Sequence, residues 1–142
     1  VNATTQPKPT LDQRRARHAW QAVHDTKQHI GCHQKQDEKK FGVNARKLPV
    51  RIMASGLGQA LAFLKAKDSA PGLLIEIADW VLDKRANPDS NREKPKDDAL
   101  LQSVITSDSD FLRAATEEVL AYLQWLVRFA EAEGLTDSEG EQ

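Results

Sequence analysis

The stretch from Phe111 to Phe129 constrains the fold more than any other part of this chain. Phe111, Ala115, Val119, Tyr122, Leu126 and Phe129 recur at steps of four, four, three, four and three. That is the period of an α-helix, and Leu112, Leu123 and Ala130 widen the same stripe. Arg113, Glu117, Gln124, Arg128 and Glu131 follow the opposite side. A helix with so broad an apolar face must be buried against other elements. Ser107 is the expected N-cap, and Gly134 stands where a helix ends in a left-handed cap. The acidic residues 136–142 read as a frayed, flexible tail.

The remaining apolar segments also have helical spacing, and none alternates with the period of a strand. Thr10 and Gln13 have the spacing of a capping box, ahead of a helix with Ala16, Ala19, Trp20 and Val23 on one face. Gly31 closes or interrupts it, and Cys32 to Lys40 read as a polar, mobile loop. A short helical piece, Phe41 to Leu48, is expected to stop before Pro49, because proline disfavours helical geometry in the residue preceding it. Pro49 then opens a helix carrying Val50, Ile52 and Met53, and the pair Gly56 and Gly58 marks a kink or break. Leu57, Ala60, Leu61 and Leu64 continue to Lys67. Ser69 is expected to cap the next helix, with Leu74, Ile77, Ala78 and Val81 buried and Trp80 beside them. Lys84 to Asp97 read as one long loop, functional or disordered, followed by a short helix over Asp98 to Ile105. The chain is thus expected to be all-α: a single compact domain (10–135) of six or seven helices with a long C-terminal helix, after a flexible segment 1–9.

Composition narrows the function classes. Apolar residues make up 39% and charged residues 29%, an ordinary globular balance with no run long enough to span a membrane. The polar first ten residues, with two prolines, do not read as a secretory signal, and the lone Cys32 suits a reducing cytoplasm. Net charge is −1, but residues 1–67 hold 13 Lys/Arg against 4 Asp/Glu, and residues 68–142 hold 7 against 17. Two readings follow. Either the fold interleaves the halves and neutralises them, or one half meets an anionic partner or a further copy.

Motifs of catalysis are missing from the sequence. Ala54-Ser55-Gly56-Leu57-Gly58 lacks the lysine and third glycine of a phosphate loop and reads as a bend. His24, His29, Cys32 and His33, near His18, could in principle hold zinc, but one thiol and an intervening glycine fit a structural site poorly. The metal expectation is therefore none, and no cofactor is implied. The carboxylate pairs Asp97-Asp98, Asp108 with Asp110, and Glu117-Glu118 are assigned to helix starts or exposed faces. The basic residues Arg14, Arg15, Arg17, Arg46, Lys47, Arg51, Lys65 and Lys67 are the candidate binding set, suited to phosphates rather than bases. A solvated basic surface explains them equally well on composition alone.

Arg46-Lys47-Leu48-Pro49, followed by Ser55-Gly56-Leu57-Gly58-Gln59-Ala60-Leu61-Ala62-Phe63-Leu64, resembles the small subunit of the type III-B CRISPR–Cas effector, the Cmr complex. The resemblance continues through Ala114-Ala115-Thr116-Glu117-Glu118-Val119-Leu120-Ala121-Tyr122-Leu123-Gln124-Trp125-Leu126 and Val127-Arg128-Phe129-Ala130-Glu131-Ala132, with Arg15-Ala16 and Ala19 fitting the opening helix. It implies a helical, non-catalytic protein whose copies stack into a minor filament beside the guide-bearing backbone and help to accommodate target RNA. Its implied partners are the other Cmr subunits, further copies of itself and guide/target RNA; target cleavage and nucleotide chemistry belong to other subunits. The His/Cys segment and the Lys84–Asp97 loop depart from the family pattern. A generic helical protein–protein adaptor without RNA contact is the competing reading, and a small metal-dependent enzyme the third.

Overall fold

The structure, a computed structural model, describes residues 7–28 and 35–137. Among these residues six α-helices follow one another: α1 (Leu11–Gln28), α2 (Lys35–Ser55), α3 (Leu57–Lys67), α4 (Pro71–Asp79), α5 (Ala99–Thr106) and α6 (Ser109–Ala132). A single π-helical turn, Trp80–Lys84, extends α4. No strand occurs among the described residues. The apolar stripe of α6 forms the centre: Val119, Tyr122, Leu123, Leu126 and Ala130 are wholly buried. Against them lie Ala19 and Val23 of α1 and Ala45 and Leu48 of α2 within one continuous core. Leu73 and Ile77 of α4 and Leu61 and Leu64 of α3 complete it.

The helix starts follow local chemistry. Thr10 Oγ1 accepts from the Gln13 backbone N–H at 3.0 Å, and Gln13 Oε1 accepts from the Thr10 N–H at 2.8 Å. This reciprocal box satisfies two otherwise orphan donors. Thr10→Ala is expected to cost about 1 kcal/mol in chemical unfolding; no measurable loss would mean that the box does not hold α1. At the far end, Gly134 has φ 74°, its N–H donates to Glu131 O, and Leu135 N–H donates to Ala130 O at 2.9 Å. Leu135 is buried beside Ala130, which completes a Schellman closure. Thr136 is buried too.

Four sequence expectations are corrected. Pro49 does not open a helix; it lies inside α2, and Leu48 before it is helical. An interior proline costs about 3 kcal/mol, whereas full burial of Leu48 and Ile52 is worth about 1.5–3 kcal/mol each. Packing wins. The expected loop from Cys32 to Lys40 is helical from Lys35 onward, built of Lys, Gln and Glu with good helix propensity, while Cys32 to Gln34 lie outside the described residues. Ser69 does not cap α4: Ala70 is its N-cap, without a side-chain bond, and Pro71 at the first position lacks one N–H that would need a partner. α6 is capped by Asp108 rather than Ser107, its Oδ1 accepting from Phe111 N–H at 2.9 Å. Ser107 instead takes extended geometry as the C-cap of α5.

The predicted break at the glycine pair is sharp. Gly56, with φ 88° and ψ 160°, ends α2 and caps α3, a geometry that residues with a Cβ rarely adopt. The long loop after the π turn is pinned at several points. Ser90 Oγ donates to Asp83 Oδ2 at 2.6 Å, Lys94 Nζ to Glu76 Oε2 at 2.7 Å, and Lys65 Nζ to both oxygens of Asp97.

Candidate nucleic-acid interface

The three arginines of α1 have different surroundings. Arg15 turns inward and forks onto Glu118 of α6, Nε to Oε2 at 2.6 Å and Nη2 to Oε1 at 3.0 Å. Glu118 also accepts from Trp80 Nε1 at 2.8 Å and from Arg85 Nε at 3.0 Å. The sequence reading placed Glu118 on an exposed face, but it is buried, 5% exposed. Its position gave the signal: it lies three residues after Ala115 and four before Tyr122, on the buried stripe. Burial opposes its ionised form, yet the bonds from Arg15, Trp80 and Arg85 together hold its pKa below the usual carboxylate value. Arg14 donates to the carbonyls of Lys84 (2.8 Å) and Arg85 (2.6 Å), and its guanidinium lies over the Trp80 ring at 5.7 Å. Arg17 is exposed on the wall of a concavity of about 240 Å³, lined also by Arg14, His18, Trp80, Lys84 and Pro88.

The second basic group lies on α2 and α3. Arg51 sits over the Phe63 ring at 4.4 Å from its centroid, and Lys67 lies 5.3 Å from the same centroid. Phe63 is 42% exposed, so two cations are held around a half-open aromatic ring. Lys47 is exposed, and Arg46 lines a groove between α2 and α6 with Pro49, Leu123 and Trp125. Lys65, by contrast, is bound to Asp97, whose hydrogen bond raises its pKa.

The charge asymmetry of the sequence is partly consumed within the fold. Arg15 meets Glu118, Lys27 meets Glu133 and Lys65 meets Asp97, each a basic first-half residue against an acidic second-half one. Interleaving therefore explains a share of it, and Arg17, Lys47, Arg51 and Lys67 form no ion pair among the described residues.

Of the expected His/Cys cluster, His29, Cys32 and His33 lie outside the described residues. The His24 ring lies tilted against Trp20 at 4.2 Å between centroids; Trp20, itself 45% exposed, meets Phe129 edge-on. His18 is separate. Its Nδ1 lies 2.6 Å from the Tyr122 hydroxyl and its Nε2 2.8 Å from Asp79 Oδ2. Burial, with Glu76 and Asp79 nearby, pushes the Tyr122 phenol well above its usual pKa, so it stays neutral.

The profile of a family described as CRISPR-associated protein (Cas_Cmr5) matches residues 11–133, nearly the whole described helical domain. This chain belongs to that family. Among solved structures it is similar to a CRISPR-associated Cmr5 family protein from Thermus thermophilus. The two share 26% identity with a TM-score of 0.65, over 87% of this chain and 97% of the other. The Cas_Cmr5 assignment makes the chain a component of the CRISPR Cmr complex and accounts for the all-helical domain with its long final helix.

Proposed function

We propose that this chain is the non-catalytic small subunit of a cytoplasmic type III-B effector, stacking with further copies in a minor filament and helping to hold guide and target RNA. The observation that carries the RNA contact is the Arg51–Phe63–Lys67 cluster. The ring fixes two cations whose charge is not neutralised by a carboxylate among the described residues, and Lys47 extends the set along α2. Such side chains suit phosphates and carry no sequence information. Arg17 and Arg46 are secondary candidates, while Arg14, Arg15 and Lys65 are largely occupied within the fold. Stacking is supported by apolar side chains without cover: Val50 is 71% exposed, Met53 76% and Ile105 65%. Head-to-tail contacts of this kind extend without closing, and repeated weak RNA contacts then reinforce one another.

Assembled complexes carrying Lys47→Ala, Arg51→Ala and Lys67→Ala together are expected to bind target RNA about tenfold more weakly at moderate salt, independently of its sequence. The slope of log affinity against log salt should fall by about 2, from three lost contacts at about 0.7 each. Equal RNA retention by both complexes would favour the adaptor reading.

A further inference from the structure

His18 of α1 and Glu76 and Asp79 of α4 place a ring nitrogen and two carboxylate oxygens within 4.8 Å of one another. Most of the polar atoms here are engaged. Asp79 Oδ1 accepts from Lys84 at 2.9 Å and Glu76 Oε2 from Lys94 at 2.7 Å. Glu76 Oε1 differs: it is buried, on a residue 7% exposed, and it has no hydrogen-bond partner. A carboxylate oxygen withdrawn from water without a partner is costly to maintain, and this one belongs to the side chain that completes the His–Asp pair.

We propose that His18 Nε2, Asp79 Oδ2 and Glu76 Oε1 form a binding site for a divalent transition-metal ion, with zinc as the best fit. One imidazole and two carboxylates suit zinc, whereas calcium and magnesium favour all-oxygen sets. The surroundings match a ligating histidine. With Nε2 on the metal, the ring carries its hydrogen on Nδ1, and the Tyr122 oxygen 2.6 Å away accepts it, fixing ring orientation. Without an ion, Lys84 holds the second oxygen of Asp79 and Lys94 that of Glu76. Lys94, 42% exposed, can turn towards Asp25, 3.8 Å away, when a dication enters. His18 also lines the concavity formed with Arg14, Arg17, Trp80, Lys84 and Pro88. To span bonds of about 2.0–2.1 Å to a tetrahedral ion, His18 Nε2 and Asp79 Oδ2, now 2.8 Å apart, must separate by about half an ångström, and the Glu76 oxygen, within 4.8 Å of them, must close in. The ion would tie α1 to α4 beneath α6 and leave a fourth position for water. This site is independent of the proposed RNA contact.

The full chain, stripped with chelator and titrated with zinc chloride, is expected to bind one ion at this site and to melt at a higher temperature when loaded. Glu76→Gln, nearly isosteric, should keep the metal-free circular dichroism spectrum and bind zinc at least about tenfold more weakly. Cys32→Ser should bind as the parent does, and the cobalt form should show visible bands without a near-ultraviolet sulfur band. No binding, equal binding by Glu76→Gln, or loss of the ion in Cys32→Ser would each overturn the proposal; the last would assign the metal to the His24–His33 segment.

Discussion

Glu118→Ala is expected to lower the unfolding free energy by about 3–5 kcal/mol, the range for breaking a buried ion pair from one side. The variant strips Arg15, whose side chain is 17% exposed, of its fork on Glu118, leaving it only Asp12, and leaves the buried Trp80 Nε1 without an acceptor. Arg85, 46% exposed, can turn to water, so most of the penalty sits on Arg15 and Trp80. Against a typical stability of about 5–15 kcal/mol this is a large share, and the melting temperature should fall by about 10–20 °C. Two controls separate the cause. Glu131→Ala, which removes the partner of the exposed Arg128, should change stability by less than about 1 kcal/mol. The double variant Arg15→Met with Glu118→Leu should regain most of the loss, because apolar packing often replaces a buried pair without penalty. A Glu118→Ala chain as stable as the parent would mean that this carboxylate does not join α1, the π turn and α6.

The same residue sets a pH dependence. Its pKa is lower folded than unfolded, so its stabilisation is complete above the unfolded value of about 4.3 and is lost as pH falls through the folded one. Asp12 and Asp83 are depressed as well, Asp12 chiefly by its bonds from Trp125 and Arg15, and Asp83 chiefly by that from Ser90. All three act in one direction. The gap between parent and Glu118→Ala should therefore narrow as urea midpoints are measured from pH 7 down towards pH 3.

Glu118 also marks the boundary of what a linear reading resolves. Period three and four picked out the buried face of α6, and the Thr10–Gln13 box and the Gly56 and Gly134 ends are local signals that the fold obeys. Such signals lie within a few residues of their effect. Pro49 misleads because its local penalty is overruled by Leu48 and Ile52 packing on distant elements. The basic residues of α1 show the same limit. Arg14, Arg15 and Arg17 sit in one run, but which of them turns inward depends on α6 and the π turn, more than sixty residues away. Phe63, which gathers Arg51 and Lys67, carried no sign of that role beyond its place on α3. The site around His18 joins residues sixty-one positions apart and had no motif to announce it.

Gly42 is a position whose importance only the three-dimensional arrangement reveals. Its backbone is helical, so in isolation Gly42→Ala should stabilise α2 by about 1 kcal/mol. In the fold, however, an added Cβ would overlap the backbone carbonyl of Leu135 and come within 2.7 Å of the Leu135 Cβ. Backbone cannot rotate away as a side chain does, so the turn after α6 must shift and uncover Leu135 and Thr136. Overpacking of this kind costs about 1–3 kcal/mol, and the net effect of Gly42→Ala is expected at the upper end, because the Schellman closure of α6 moves with Leu135. Gly58→Ala should have the opposite sign: its Cβ would meet Val104 at an ordinary 3.5 Å, leaving the propensity gain intact. Urea unfolding of the two variants side by side reads both signs. Full stability in Gly42→Ala would show that the α6 turn does not rest on α2.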